Sequence, residues 1–143
     1  MRGMRWADLA AVAGIEEETL SPWSELSLAG ECSADNRLLL VAEEGIVGVV
    51  AWCSCRLIWP EAELLKISVA AEKRRSGVGC FLFKMLVGKL RQGGFETLFL
   101  EVRATNEAAL KFYEKNGCTR VGFRDDYYSN PPDRAIILKK KMG

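Results

Sequence analysis

The sequence predicts an α/β protein in which a single domain is built on one central mixed β-sheet (an α+β mixed sheet). Its 143 residues are the length of one ordinary domain with a continuous core. In mid-chain, a strand-like run, a helix-like run and another strand-like run follow one another, which favours a parallel strand pair joined by a right-handed crossover. Consecutive β-rich runs on either side favour antiparallel hairpins, so the sheet is expected to be mixed.

The first half of the chain is predicted to contain a short strand, two short helices and a β-hairpin. In order, these elements cover residues 2–4, 6–15, 24–28, 37–42 and 46–57. The apolar residues of the first helix follow a helical period, and Ser21 and Pro22 break the pattern. Ser24 is suited to cap the second helix, and Glu44 and Gly45 join the two hairpin strands.

The second half is predicted to contain two helices and four strands. In order, these cover residues 61–69, 78–91, 97–103, 106–115, 119–127 and 135–140. The complete order is β-α-α-β-β-β-α-β-α-β-β, with about four helices around the sheet and a wide loop at residues 129–132 in the last hairpin. The crossover from strand 61–69 to strand 97–103 brings the start of helix 78–91 to the carboxyl edge of a strand, where ligands bind in open α/β sheets.

Composition limits the class of protein further. Apolar residues make up 49% and charged residues 27% of the chain, which is typical of a soluble globular domain. The net charge of +1 gives no broad footprint for nucleic acid. No run approaches the roughly 18 apolar residues that cross a bilayer, and no export signal is evident. We therefore expect a cytoplasmic protein that binds neither nucleic acid nor membrane.

The cysteines indicate packing rather than metal or disulfide chemistry. There are five cysteines and no histidine, and no Cys-x-x-Cys pair suggests zinc ligands, so no metal is predicted. Reduced thiols in a cytoplasm fit this set. Cys53 and Cys55 lie two residues apart in a β-rich run and are expected to be buried on one face of a strand.

The stretch Arg74-Arg75-Ser76-Gly77-Val78-Gly79 predicts a binding site for a pyrophosphate. Two glycines one residue apart let backbone N–H groups point into one concavity, and the following helix directs the positive end of its dipole there. Lys73, Arg74 and Arg75 add cations that suit a polyphosphate, so the expected ligand is a nucleotide or coenzyme. The stretch fits neither a dinucleotide fingerprint nor a Walker loop. The alternative is a glycine-containing turn with solvated basic residues.

This loop resembles the acyl-coenzyme-A loop of the GNAT superfamily of N-acetyltransferases. A second signature of the superfamily is resembled by Leu100-Glu101-Val102-Arg103-Ala104-Thr105-Asn106 and Phe112-Tyr113-Glu114-Lys115-Asn116-Gly117. With Ser21-Pro22-Trp23-Ser24 and Arg124-x-x-Tyr127-Tyr128, the set is similar to the RimI-type ribosomal-protein-alanine N-acetyltransferases over residues 15–142. The resemblance implies one GNAT domain over residues 1–143, with a splayed parallel strand pair in the sheet. It also implies acetyl transfer from acetyl-CoA to a protein N-terminal α-amine, that of alanine in a small-subunit ribosomal protein.

The resemblance also implies which residues bind acetyl-CoA. The backbone of Ile67, Ser68 and Val69 would pair with the pantetheine arm like an added strand. The pyrophosphate would be covered by Arg74, Arg75, Ser76, Gly77, Val78, Gly79 and Cys80. Asn106 matches an asparagine that hydrogen-bonds the pantetheine, but it is also placed to cap a helix, and one side chain does not easily serve both tasks.

Glu101 and Tyr113 are the candidate catalytic residues. Strand alternation places Glu101 with Phe99 and Arg103, opposite the apolar face, where partial burial of a carboxyl favours a general base. The resemblance implies that role for Glu101; the alternative is a surface ion pair with Arg103 or a lysine. The counterpart of Tyr113, which is also implied to contact acetyl-CoA, is the general acid near the coenzyme sulfur. The alternative for Tyr113 is an aromatic that packs its helix on the sheet.

The acceptor is the least determined part of the prediction. An α-amine with a pKa near 8 is about a tenth neutral at pH 7, whereas a lysine near 10.4 is neutral in well under about one part in a thousand. A chain terminus is therefore favoured, and the resemblance implies that Trp23, Tyr127 and Tyr128 wall its groove. Arg134 lies where relatives carry an acidic residue, and this cation is expected to disfavour some basic N-termini. The alternatives are a small-molecule or lysine amine, or a non-catalytic acyl-CoA-binding partner or sensor subunit.

Overall fold

Seven strands form one sheet in the order β1-β2-β3-β4-β5-β7-β6. The computed structural model describes residues 1–19, 22–129 and 131–142, so the predictions for Ser21 and Asn130 lie outside the described residues. The strands are β1 (Arg2–Gly3), β2 (Arg37–Glu44), β3 (Gly48–Ile58), β4 (Glu61–Val69), β5 (Thr97–Arg103), β6 (Thr119–Ser129) and β7 (Pro132–Lys141). The helices are α1 (Leu9–Glu17), α2 (Glu25–Ser33), α3 (Val78–Gln92) and α4 (Glu107–Lys115), and 3₁₀ turns lie at Trp6–Asp8 and Ala71–Lys73. The mixed sheet and the order of elements are confirmed.

The parallel pair β4–β5 separates part-way along its length. Pairing runs only from Glu61↔Thr97 to Leu64↔Leu100, although β4 continues to Val69 and β5 to Arg103. β5 stays paired with β7 over its whole length, so the separation opens between the last part of β4 and the last part of β5. This is the splayed pair that the sequence predicts.

A bulge in β4 lies at the point of separation. Leu64 pairs with Cys55 and Lys66 pairs with Ser54, so Leu65 is left without a partner on β3. An extra residue in a strand reverses which side chains face which side. Before the bulge Leu64 packs into the core under α3, and after it Ser68 points to the opposite face of the sheet.

Two cores lie on opposite faces of the sheet. The larger packs α3 and α4 against β2–β5 and contains the fully buried Cys53 and Cys55, as predicted. The smaller packs α1 and α2 against β2 and β3 through Val12, Ile15, Leu28, Val41 and Trp52. This smaller core includes no residue of β5, β6 or β7. On that side of β5 the side chains stay partly exposed, which leaves an open face beside the separation.

Several boundaries in the first half differ from the prediction; α1, for example, begins at Leu9 and β2 ends at Glu44. The Oγ of Ser24 caps α2 as expected by accepting from the Ser27 N–H at 3.1 Å, but the helix runs to Ser33 instead of residue 28. Leu28 is its one buried residue, so most of α2 is a surface helix and the apolar pattern does not mark its end. Ile46, predicted to begin β3, lies exposed in the turn before it.

The predicted wide loop in the last hairpin is wrong. β6 and β7 pair as far as Ser129↔Pro132, because a proline is tolerated at the first position of a strand. The irregularity lies instead inside β6, where the register shifts between Arg124 and Tyr128 and Asp126 takes a φ of 53°. This shift lies beside the open face and next to the two predicted acceptor-wall tyrosines.

Candidate active site

The loop before α3 forms a concave turn of backbone. Gly77 takes a φ of 90° at the N-cap of α3 and Arg75 a φ of 63°, so two left-handed residues flank Ser76. Among residues 1–19, 22–129 and 131–142, no side chain caps the helix start with a hydrogen bond. Successive N–H groups in such a turn, at a helix N-terminus, form a site for an anion. The local geometry therefore fits a phosphate group, and its binding by residues 74–80 stays a prediction.

The basic residues of this loop do not all face a ligand. Arg74 donates from Nε to the Val69 carbonyl at 3.1 Å and from Nη2 to the Glu18 carbonyl at 3.0 Å. Lys73 Nζ lies 2.9 Å from a carboxylate oxygen of Glu44. The guanidinium of Arg74 thus ties the loop to the ends of β4 and α1. Both residues bind groups of the protein, and the contribution of their charge to ligand binding stays a prediction.

Gly79 serves close packing. A Cβ at this position would lie 3.3 Å from Cε1 of Phe112 and 3.4 Å from Cγ2 of Val69, tighter than ordinary contact. The first turn of α3 can therefore approach both α4 and β4. Cys80 Sγ accepts from Nδ2 of Asn116 at 3.6 Å, which adds a polar contact to α4.

Asn106 caps α4, and the two predicted tasks for this side chain are compatible. Its Oδ1 accepts from the Ala109 N–H at 3.1 Å. That bond uses the amide oxygen and leaves the NH₂ group to donate elsewhere. The contact with pantetheine stays a prediction.

Glu101 lies on the open face of β5. Its side chain is 17% exposed, and its Oε1 is 3.7 Å from Nε of Arg124. Its Oε2 is buried and has no hydrogen-bond partner within the described part of the chain. A cavity of about 340 Å³, lined in part by Arg56, Glu61 and Phe99, opens beside it. A buried carboxylate oxygen beside a cavity is available to accept a proton or hydrogen bond from a ligand.

The two tyrosines predicted to wall the acceptor groove lie over Glu101. Hydrogen bonding to Glu101 raises the pKa of the Tyr127 phenol, with burial as a second cause. The rings of Tyr127 and Tyr128 make an edge-to-face contact at 5.0 Å, and the Arg103 guanidinium lies 4.2 Å from the centre of the Tyr128 ring. Burial, followed by the charge of Glu101, raises the pKa of Tyr128. Both phenols therefore stay protonated at neutral pH.

Tyr113 is almost fully buried in the larger core. It is 8% exposed and makes edge-to-face contacts with Phe83 at 6.0 Å and Phe112 at 5.2 Å. Burial raises the pKa of its phenol, and the neighbouring Tyr128 contributes in the same direction. The ring thus packs α4 onto the core, and the hydroxyl keeps its proton across the physiological pH range.

Glu16 is a residue that the sequence analysis missed. It is fully buried at the end of α1. Its Oε1 accepts from the Trp23 backbone N–H at 3.0 Å and lies 3.4 Å from Lys66 Nζ. Its Oε2 accepts from Trp52 Nε1 at 3.0 Å and Ser68 Oγ at 2.7 Å.

A signal for this position exists in the sequence. Glu16 continues the helical period of Leu9, Val12 and Ala13, which places a charge on the buried face of α1. A charge at such a position is paired or hydrogen-bonded in a folded protein. Glu17 and Glu18 follow it directly, and a run of three acidic residues is typical of an exposed segment, so the burial of Glu16 is not evident from the sequence.

Arg134 does not present an unpaired cation at the mouth of the groove. Its Nη2 lies 3.0 Å from a carboxylate oxygen of Asp125, and its guanidinium lies 4.5 Å from the centre of the Phe123 ring. This ion pair lies at the exposed surface of β6 and β7, where such pairs are weak, and the predicted effect on basic N-termini stays a prediction. Asp133 accepts from the Thr105 hydroxyl at 2.6 Å and so joins β7 to the end of β5.

The sheet opens between two parallel strands, with a glycine-bearing helix start at one side and a carboxylate on the open face. This arrangement fits an acyltransferase. The chain belongs to the acetyltransferase (GNAT) family, whose model matches residues 5–118. It is an acetyltransferase by this membership. No helix in the described ranges has the length and apolar character to cross a membrane.

Relatives extend the likeness along most of the chain. The [ribosomal protein bS18]-alanine N-acetyltransferase of Escherichia coli (strain K12) is 33% identical over 92% of this chain and 89% of its own length. A crystal structure of the ribosomal-protein-S18-alanine N-acetyltransferase from Escherichia coli superposes with a TM-score of 0.90 at 30% identity, covering 99% of this chain and 92% of the other. A putative streptothricin acetyltransferase from Bacillus anthracis, solved with acetyl coenzyme A, has a TM-score of 0.69 at 26% identity over 76% of this chain and 64% of its own.

Proposed function

We propose that this protein transfers the acetyl group of acetyl-CoA to the N-terminal α-amine of alanine in a small-subunit ribosomal protein of the bS18 type. The main support is the 33% identity, over nearly the whole chain, to an enzyme with that acceptor. Such similarity includes the segments that carry Trp23, Glu101 and Tyr127 as well as the coenzyme loop. An acceptor of this kind places the reaction in the cytoplasm.

The residues at the opening of the sheet fit acetyl-CoA. Backbone N–H groups from Gly77 to Cys80 would hold the pyrophosphate, with Arg75 and Ser76 beside them, because the helix start has no side-chain cap. Main-chain groups of Ile67, Ser68 and Val69 lie beyond the last β4–β5 pair, where a pantetheine arm can pair like an added strand. When bound, acetyl-CoA supplies the thioester that the neutral amine attacks, with its thiol as the leaving group.

Glu101 is the candidate general base. The α-amine must lose a proton as the new N–C bond forms, and Glu101 Oε2 is a buried acceptor without a partner in the described residues. Tyr127, whose phenol stays protonated beside this carboxylate, can hold the carboxylate in place. The proton passes from nitrogen to Glu101 and from there to solvent through the adjoining cavity.

Tyr113 is the candidate general acid. As the C–S bond breaks, the sulfur needs a proton, and a phenol with a raised pKa in the core carries one at all physiological pH values. Its aromatic contacts hold the ring in one position, which preorganises the hydroxyl. The resulting phenolate would regain its proton when departure of the coenzyme admits water to the site.

Mass spectrometry of acceptor peptides tests the proposal. The purified protein would be incubated with labelled acetyl-CoA and a short peptide that carries the alanine N-terminus of Escherichia coli bS18. Matched peptides would carry a blocked N-terminus with a free lysine, or a different first residue. We expect label only on the free alanine α-amine. Label on lysine alone would contradict the proposed acceptor, and binding of acetyl-CoA without turnover on any amine would contradict the enzyme assignment.

A further inference from the structure

Three hydrogen-bond donors and one counter-ion are divided between the two carboxylate oxygens of Glu16. Oε2 takes the indole N–H of Trp52 on β3 and the hydroxyl of Ser68 on β4, so this oxygen is fixed to the sheet. Oε1 takes the backbone N–H of Trp23 and has Lys66 as its counter-ion. One buried carboxylate therefore connects the sheet to the segment that leads into α2.

The bulge in β4 makes this arrangement possible. In a regular strand of the same sequence, with no bulge at Leu65, Lys66 and Ser68 would face the same side as Leu64, toward α3. With it, both polar side chains reach Glu16 on the other face. The bulged part of β4 is also the part that has separated from β5. Glu16 thus binds two residues in the separated part of β4.

Trp23 receives its position from this carboxylate. Its indole makes an edge-to-face contact with Trp52 at 5.6 Å, and its backbone N–H ends on Glu16. The two groups that contact Trp23 are both held by the sheet, since Trp52 belongs to β3 and the Glu16 carboxylate is bonded to Trp52 and Ser68. A hydrogen bond to a buried charge is stronger than one between neutral groups, so the main chain at Trp23 is held firmly.

We propose that Glu16 is a positioning residue that fixes the Trp23 wall of the acceptor groove relative to the opened end of β4. The inference rests on the proposed function for the identity of the acceptor, but the placement of Trp23 can be measured without it. Glu16 touches neither acceptor nor thioester in this role. It acts by holding Trp23 against the sheet on which Glu101 lies.

Steady-state kinetics of Glu16→Gln against Glu17→Gln test the inference. Glutamine keeps the shape of the side chain but places an NH₂ group against donors, whereas Glu17 is exposed on the same helix and serves as the matched control. With the bS18 alanine peptide we expect the acceptor KM of Glu16→Gln to rise about tenfold, because a tenfold change corresponds to the loss of one charge-assisted hydrogen bond. The KM for acetyl-CoA should stay within about twofold, because β3 still pairs with β4.

A merely structural role makes a different prediction. In that case Glu16→Gln would lower the unfolding midpoint but leave the acceptor KM of the folded enzyme unchanged, or raise both KM values equally, and either result would overturn the inference. Trp52→Phe, which removes one donor to Glu16 while keeping an aromatic ring, should raise the acceptor KM in the same direction by a smaller factor.

Amide hydrogen exchange gives a readout that does not depend on activity. The Trp23 amide should exchange about tenfold faster in Glu16→Gln than in Glu17→Gln, since its acceptor has lost its charge. If the wild-type protein acetylates no peptide, the proposed function fails while this measurement still decides the position of Trp23. Unchanged exchange at Trp23 would refute the positioning role even in an active enzyme.

Discussion

The two sides of the opening between β4 and β5 are built by different means. On the carrier side, which we define as residues 67–80, the geometry is that of the main chain, with left-handed residues at Arg75 and Gly77 and a helix start without a side-chain cap. On the acceptor side the surface consists of side chains, with Glu101 surrounded by Arg124, Tyr127 and Tyr128. The carrier side therefore depends on backbone conformation, whereas the acceptor side depends on the identity of single functional groups.

This difference predicts how each side tolerates change. Backbone sites accept many side chains but are sensitive wherever only glycine takes the required conformation. Side-chain sites lose function when one atom is replaced, even if the shape is kept. Tyr113, a buried residue of α4, has the largest expected effect.

Tyr113→Phe should lower kcat by about a thousandfold, within the range of a lost general acid. A water molecule has little access to replace the hydroxyl, because Tyr113 is 8% exposed. The ring contacts persist in phenylalanine, so the unfolding midpoint and the calorimetric affinity for acetyl-CoA should match those of the wild type. A variant that keeps its kcat would assign Tyr113 to packing alone.

Glu101→Gln should lower kcat/KM by about a hundredfold at pH 7. This loss is smaller than that expected for Tyr113→Phe, because Glu101 borders an open cavity in which water can take up the proton instead. The loss should shrink as the pH rises toward the pKa of the α-amine, because more of the acceptor is then already neutral. Glu61→Gln, in the wall of the same cavity, is the control and should stay within about twofold. An equal loss at every pH would speak against a base.

Gly77→Ala should raise the KM for acetyl-CoA by about tenfold and leave the acceptor KM unchanged. Its φ of 90° strains a residue that has a Cβ by about 1–2 kcal/mol, and the loop can relieve this only by leaving the anion-binding shape. Gly88→Ala, in the interior of α3 with open space around a new Cβ, should instead stabilise the protein by about 0.5–1 kcal/mol without kinetic effect. Equal kinetic effects of both substitutions would remove the distinction between the two sides.

The same distinction explains what could be predicted from the sequence. Apolar residues that recur with a period of two or 3.6 predict the strands and helices. Gly77 identifies the carrier loop because the left-handed backbone at that position favours glycine. The bulge at Leu65, by contrast, depends on pairing with β3, and no local pattern specifies it. The partners of Glu16 come from three other segments, so only the folded chain shows them. The bond from Arg74 Nη2 to the Glu18 carbonyl likewise joins residues that are distant in sequence, so it could not be predicted either.

Asp8→Asn tests whether a loss of protein stability alone affects the position of Trp23. Asp8 lies at the start of α1, the helix that carries Glu16, but the Trp23 N–H is bonded to Glu16 and not to Asp8. Its carboxylate accepts from Arg2 Nη1 and Nη2 at 2.7 and 2.8 Å and from the Arg5 N–H at 2.7 Å. The substitution should reduce the free energy of unfolding by about 1–3 kcal/mol near pH 7. Because Glu16 keeps its own partners, we expect both KM values to stay unchanged.

The pH dependence of that loss has a definite sign. Hydrogen bonding to Arg2 lowers the pKa of Asp8 from 3.8 to about 2, so the folded state prefers the charged form. The stabilisation is therefore complete above the unfolded pKa and is lost as the pH falls through the folded one. Urea unfolding should show a constant gap between wild type and Asp8→Asn from pH 5 to 8, which narrows below pH 4 and closes near pH 2. If the acceptor KM instead followed the loss of stability, the hold on Trp23 would depend on the whole of α1 rather than on Glu16.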